Sequence, residues 1–128
     1  MNALSLILQE EGFRSKPYED TLGVITFGHG LTYITEEESK AIVADRILDI
    51  NIRFTEAFSW YSKLSLAKQG VLISMVYQLG WYGFSGFKKM IKALSKGDFE
   101  EAAKEGLDSR WAKQTPERAK RAMEILAR

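Results

Sequence analysis

The 128-residue chain has no cysteine. That excludes a disulfide framework, a thiolate metal site and a thiol nucleophile. A single histidine excludes a His-rich metal cluster and gives little support to a Ser-His-Asp triad. The net charge of +1 lacks the basic excess of a dedicated nucleic-acid binder. No apolar run approaches the ~20 residues of a membrane span. The opening MNALSLILQEEGFR turns acidic at Glu10 and Glu11, without the basic start, longer apolar core and small-residue cleavage site of a signal peptide. The expectation is a chain made in the cytoplasm, with no stable membrane insertion. Hydrophobic residues make up 45% and aromatics 12%, enough for one folded domain with a real core.

No linker, repeat or low-complexity tract interrupts the sequence. Leu4, Ile7 and Leu8 have helical spacing and predict a helix over about 3–11 that stops at Gly12. VITF, flanked by Gly23 and Gly28, predicts a strand in a small hairpin or three-stranded sheet. TEEE is a capping box, with Thr35 as cap and Glu38 reaching back. The helix it starts runs to about residue 57 and carries an apolar stripe through Ile42, Ile47, Ile50, Phe54 and Phe58. Its charged residues, among them Asp45, Arg46, Asp49 and Arg53, read as a solvated outer face.

LAKQGVLISMVYQL (66–79) predicts a buried helix ending at Gly80, followed by the aromatic connection WYGFSGF. A helix over about 87–95 ends near Gly97. Another begins at DFEE, with Asp98 as cap and Glu101 placed to reach back. In QTPERAKR, Thr115 caps and Pro116 takes the first helical position. Strands confined to one segment, with helices elsewhere, make an α+β class. The small sheet cannot hold a core of its own.

The stretch EEGFRSKPYEDTLGVITFGHGLT (10–32) holds Glu11, Asp20 and Thr26 among four turn-forming residues, Pro17, Gly23, Gly28 and Gly30. Glycosidic bonds are cleaved by two carboxyl groups, one protonated and one ionised, which calls for two different environments. Glu11 at a helix end, half-walled by protein, and Asp20 in an open polar turn would differ in that way. Thr26 on the adjacent strand would hold a water beside Asp20. The plain alternative makes Glu11 a helix-end charge, Asp20 a turn former and Thr26 an ordinary strand residue.

Glu11-x8-Asp20-x5-Thr26, with Glu10, Gly12, Arg14, Tyr18, Gly23 and Thr26-Phe27-Gly28 around it, resembles the catalytic signature of the phage-type lysozymes, the muramidases of glycoside hydrolase family 24. A second block resembles the T-even type of that family in order and spacing: SMVYQLG (74–80), GF (86–87), DFEEAA (98–103), SRW (109–111) and QTPERAKR (114–121). The resemblance implies a lysozyme-like α+β fold in one domain, residues 1–128. A small β-containing lobe (about 13–58) would be joined by a long helix to a mainly helical lobe (about 1–12 and 59–128), with a substrate cleft between them.

The resemblance also implies roles. Glu11 is the general acid, Asp20 the base or stabiliser, and Thr26 the positioner of the water. Arg118 pairs with the catalytic glutamate, and Leu31, Tyr77 and Gln78 bind substrate. Trp111 reads as core. The implied reaction is inverting hydrolysis of the β-1,4 bond between N-acetylmuramic acid and N-acetylglucosamine, with no metal or other cofactor. The implied setting is a monomeric endolysin that reaches the wall with a holin-like, membrane-permeabilising partner.

Two departures stand out. The family follows the threonine with Gly-x-Gly-His, whereas here His29 lies inside the glycine pair Gly28 and Gly30. His29 is therefore expected to pair with a nearby carboxylate, with a general-base role as the alternative. The segment after Thr32 is shorter than in the T-even type, which implies a trimmed lobe and a more open cleft. Lys104 to Arg128 carries seven bases against four acids, an excess that suits either an anionic wall polymer or an ordinary helix surface. Rival readings are a lytic transglycosylase, which releases anhydro-sugar, a non-catalytic peptidoglycan-binding module, and a tail-associated or prophage-derived lysozyme, which shares the chemistry but not the endolysin role.

Overall fold

A computed structural model describes residues 2–128. The chain divides into two compact units, Met1–Val43 and Ala44–Arg128. The first contains helix α1 (Ala3–Glu11) and strands β1 (Arg14–Glu19) and β2 (Ile25–Gly28). Helix α2 (Glu36–Ala57) spans the division. The second unit continues with a 3-10 turn (Tyr61–Lys63) and helices α3 (Leu66–Ser85), α4 (Lys88–Ser95), α5 (Phe99–Leu107), α6 (Arg110–Gln114) and α7 (Pro116–Ala127). A mostly helical chain with one two-stranded sheet is the expected α+β class.

In the first unit, the Asn2 side chain caps α1 by accepting the Ser5 N–H at 2.9 Å. Gly12 ends the helix at φ 65°, with its N–H on Leu8 O. The strands pair antiparallel, Tyr18 opposite Thr26 and Glu19 opposite Ile25. The register slips between Arg14 and Tyr18, where Pro17 has no N–H for the ladder. Of residues 2–43 only Thr26 is buried, so this sheet indeed has no apolar core of its own. The capping box forms as read. Glu38 Oε1 accepts the Thr35 N–H at 3.0 Å and Thr35 Oγ1 accepts the Glu38 N–H at 3.1 Å. The backbone bond first, then the hydroxyl, holds the Glu38 carboxyl below its ordinary 4.5.

The second unit holds the core. Phe54 of α2 is fully buried. Its ring stacks on Tyr61 at 4.8 Å and meets Trp81 and Phe84 edge-on at 5.0 and 5.1 Å. Burial of such a ring stabilises by roughly 1.5–3 kcal/mol. Gly106 of α5 lies so close to Met123 of α7 and Met90 of α4 that any Cβ would overlap the Met123 sulfur.

Four local expectations need correction. The stripe on α2 is buried only toward its C-terminal end: Phe54 is buried and Ile50 and Phe58 half-buried, but Ile42 and Ile47 are exposed. Gly80 breaks the helical backbone at φ 77°, yet the chain resumes helix through Ser85, so WYGFS is not a mere connection. Asp98 accepts the Glu101 N–H at 3.2 Å, while no return bond from the Glu101 side chain forms among the described residues. Thr115 precedes α7 without capping it; its hydroxyl donates to Trp111 O at 3.0 Å. That carbonyl belongs to α6, a short helix capped by Ser109 through the Ala112 N–H. A hydroxyl one turn beyond a helical carbonyl readily bonds back to it.

Candidate active site

Three of the residues singled out lie on consecutive elements of the first unit: Glu11 at the last position of α1, Asp20 just after β1, and Thr26 on β2. Asp20 shapes the turn between the strands. Its N–H donates to Val24 O at 2.9 Å, and Gly23 N–H donates to Asp20 O at 3.0 Å. Gly23 closes this turn at φ 80°, which favours glycine. The Asp20 side chain is also held, because Oδ1 accepts the Leu22 and Val24 N–H groups, each at 2.8 Å. Its other oxygen meets no protein donor among the described residues. The turn-forming and catalytic readings of Asp20 are thus compatible, one oxygen serving each.

Thr26 is buried, 5% exposed, and its hydroxyl donates to Val24 O at 3.0 Å. A hydroxyl has one proton and two lone pairs, so this bond leaves Thr26 Oγ1 as an acceptor for a water proton. Val24 therefore links the two side chains, its N–H on Asp20 and its carbonyl on Thr26.

Glu11 is exposed but walled on one side. Phe27 and Leu31 exchange both backbone bonds at 2.8 Å and so close a tight turn through Gly28, His29 and Gly30. This turn sets the Gly30 Cα against the Glu11 side chain: a Cβ there would lie 2.9 Å from Glu11 Cγ and overlap the carboxyl. Leu31 is exposed at the end of the turn. His29 does not make the expected carboxylate pair. Its ring lies 5.2 Å from that of Phe13, and the only ion pair among the described residues joins Lys40 and Glu37. The guanidinium of Arg14 covers the Tyr18 ring at 4.6 Å.

The remaining candidates lie in the second unit. Tyr77 of α3 is half exposed. Gln78 accepts the Trp111 indole N–H at 2.9 Å through Oε1, which leaves its amide nitrogen for another partner. Trp111 is buried, as read. Arg118 of α7 donates to Ser74 Oγ at 3.1 Å and Ser74 O at 3.4 Å. Ser74 and Gln78, four apart on α3, share a helix face.

Sequence reasoning missed three supporting residues. The role of Val24 is played by backbone alone and leaves no side-chain signal. Gly30 was legible as a turn glycine but not as a neighbour of Glu11. Ser74 meets Arg118 across 44 positions, without a local pattern to mark it.

A mainly helical α+β protein with an acid–hydroxyl hairpin is thereby defined. The family model for phage lysozyme matches residues 8–128, and the chain belongs to that family. Among curated relatives, the pre-baseplate central spike protein Gp5 of Enterobacteria phage T4 is 28% identical, covering 98% of this chain and 28% of its own length. Probable T4-type lysozyme 1 of Dictyostelium discoideum is 30% identical over 73% of this chain and 56% of its own. The SAR-endolysin of Bacteriophage PS119 is 31% identical over 72% of this chain and 58% of its own. The chain thus spans between 28% and 58% of the length of these relatives. No helix among the described residues is long and apolar enough to cross a membrane.

Proposed function

We propose that this chain is a muramidase of glycoside hydrolase family 24, which hydrolyses the β-1,4 bond between N-acetylmuramic acid and N-acetylglucosamine in peptidoglycan. Membership of the phage lysozyme family supports the substrate and reaction class. The observation that supports the residue roles is the Val24 linkage: the Val24 N–H holds Asp20 Oδ1 and the Val24 carbonyl accepts the Thr26 hydroxyl proton, which leaves the other Asp20 oxygen and the Thr26 lone pairs without protein donors among the described residues.

Protonated Glu11 gives its proton to the leaving glycosidic oxygen. A water bound between Asp20 and Thr26 attacks the anomeric carbon from the opposite face. Asp20 takes the proton that this water loses, and the product has inverted configuration. Gly30 leaves room for the Glu11 carboxyl. Arg118, held by Ser74, orients Glu11. An adjacent cation favours the ionised carboxylate, so the arginine serves to orient the acid, and its pull must be offset when substrate excludes water from the site. Leu31, Tyr77 and Gln78 contact the glycan. The reading includes an endolysin role: synthesis in the host cytoplasm, passage to the wall with a holin-like partner, and action there as a monomer without a cofactor.

Digestion of purified Gram-negative peptidoglycan, with the products read by mass spectrometry, tests this. Reducing-end muropeptides are expected. Anhydro-sugar products would assign a lytic transglycosylase, and binding without any product would assign a non-catalytic wall-binding module.

A further inference from the structure

The turn that walls Glu11 has a second hold on the same stretch of chain. Between Phe27 and Leu31, whose backbones exchange both bonds at 2.8 Å, lie only Gly28, His29 and Gly30. Two of these three residues are glycines, so His29 is the one residue of the turn that can grip a neighbour with its side chain. Its ring lies 5.2 Å from the Phe13 ring, with the planes tilted by 43°. Attractive aromatic pairs have centroids about 4.5–7 Å apart. Phe13 comes directly after Gly12, two residues beyond Glu11. One turn thus meets the end of α1 on both sides of Gly12, with the Gly30 Cα against the Glu11 side chain and the His29 ring against the Phe13 ring.

Glu11 needs such a hold. It is the last residue of α1, and Gly12 leaves the helix at φ 65°. Helix ends fray unless other contacts fix them, and α1 has no buried residue to do so. Gly30 bounds the Glu11 side chain, but it has no side chain of its own to hold the turn in place. The ring pair supplies that hold just beyond Gly12. Phe13 is 65% exposed, so its ring buries too little apolar area for the pair to act chiefly as core. No carboxylate pairs with His29 among the described residues, so its ring, not a charge, makes the contact.

The geometry points to Phe13 and His29 as positioning residues for the Glu11 carboxyl. Their rings clamp the glycine turn to the end of α1, and the clamped turn keeps Gly30 against Glu11. The proposal rests on the reading of Glu11 as the general acid and adds what holds that acid in place. It gives the histidine inside the glycine pair a role without proton transfer.

The test measures kcat and KM on purified peptidoglycan for wild type, Phe13→Ala, His29→Ala, the double alanine variant and His29→Phe, with melting curves of each. Each single alanine variant should lower kcat about tenfold, as expected for a slightly displaced acid, and leave KM within about twofold. The double variant should be no slower than the slower single one, because both changes remove one contact. His29→Phe keeps a ring opposite Phe13 and should restore most of the rate lost in His29→Ala. Losses that multiply in the double variant would overturn the proposal. So would a His29→Phe protein as slow as His29→Ala, which would give the imidazole a chemical role, or losses in KM instead of kcat, which would make the rings a glycan contact. Should an alanine variant not fold, Phe13→Leu takes its place, with a loss of kcat in the same direction expected and an unchanged kcat overturning the clamp. If wild type hydrolyses no peptidoglycan, the muramidase reading fails, and hydrogen exchange then decides on the clamp alone. The Gly12 N–H closes α1 on Leu8 O at 3.1 Å. Faster exchange there in both alanine variants, with the α3 amides unchanged, supports the clamp. Equal exchange, or an acceleration shared by α3, overturns it.

Discussion

Glu11 and Gly30 are packed against each other: a Cβ on Gly30 would come within 2.9 Å of Glu11 Cγ and overlap the carboxyl group. Gly30 also sits at φ 72°, where an L side chain costs about 1–2 kcal/mol. Gly30→Ala is therefore expected to lose stability and to displace the Glu11 carboxyl, lowering turnover about a hundredfold. Gly97 has φ 73° with nothing near its missing Cβ, so Gly97→Ala should show the loss of melting temperature without the loss of rate. Equal rates in the two variants would remove Gly30 from the account.

Asp20 should separate its two duties under substitution. In Asp20→Asn the amide oxygen can still accept the Leu22 and Val24 N–H groups that hold Oδ1 now, so the turn survives while the base is lost. In Asp20→Ala both bonds go, and the added cost is about 1–3 kcal/mol. Both variants should be inactive on peptidoglycan, with Asp20→Ala melting lower. Identical melting curves would show that the side chain does not hold the turn.

Arg118 has bonds to both the carbonyl and the hydroxyl of Ser74, so its removal frees two acceptors as well as a charge. Arg118→Ala is expected to lower both activity and thermal stability. Ser74→Ala removes only the hydroxyl contact and should shift the pH–rate profile of kcat less than Arg118→Ala does. Full activity with unchanged melting in Arg118→Ala would rule out its orienting role.

Lys68 gives the fold a pH signature. It is buried, its ammonium bonds the Arg128 carbonyl and lies 3.2 Å from the centroid of the Phe99 ring. Burial holds its pKa below the ordinary 10.5. Between the lowered folded value and 10.5 the unfolded chain binds more protons than the folded one. Stability therefore rises with pH through that window, and the cost of the buried charge is largest below it. Lys68→Met lacks this slope. Melting temperatures measured from about pH 8 to about pH 10 should move in favour of wild type relative to Lys68→Met as pH rises; a constant difference would contradict it.

The parts of this fold legible in the sequence are those set by neighbours along the chain. Thr35 and Glu38 are three residues apart and need nothing beyond one helical turn to cap each other. Asp20 and Gly23 specify their turn by side-chain length and by glycine's tolerance of positive φ. Gly80 breaks its helix for the same backbone reason. Where tertiary packing decides, local patterns failed. Thr115 has the composition of a cap, but α6 presents it with a nearer acceptor at Trp111. Ile42 and Ile47 have the spacing of a buried stripe and are exposed. His29 was expected beside a carboxylate and instead lies against the Phe13 ring. At the candidate site, the three acid and hydroxyl positions were readable through the family resemblance. The contacts of Gly30 with Glu11 and of Val24 with Asp20 and Thr26, and that of Ser74 with Arg118, depend on chain reversals and on helix pairing that no short motif encodes.

The central claim is that Glu11 supplies the proton that cleaves the glycan. It is tested most directly by reducing-end release from purified peptidoglycan by Glu11→Gln beside wild type, with melting curves of both. Glutamine keeps the shape beside Gly30 but has no acidic proton, so turnover should fall by about a thousandfold with melting nearly unchanged. A folded Glu11→Gln protein that retains turnover within a factor of about ten would contradict the assignment and move the acid to another residue.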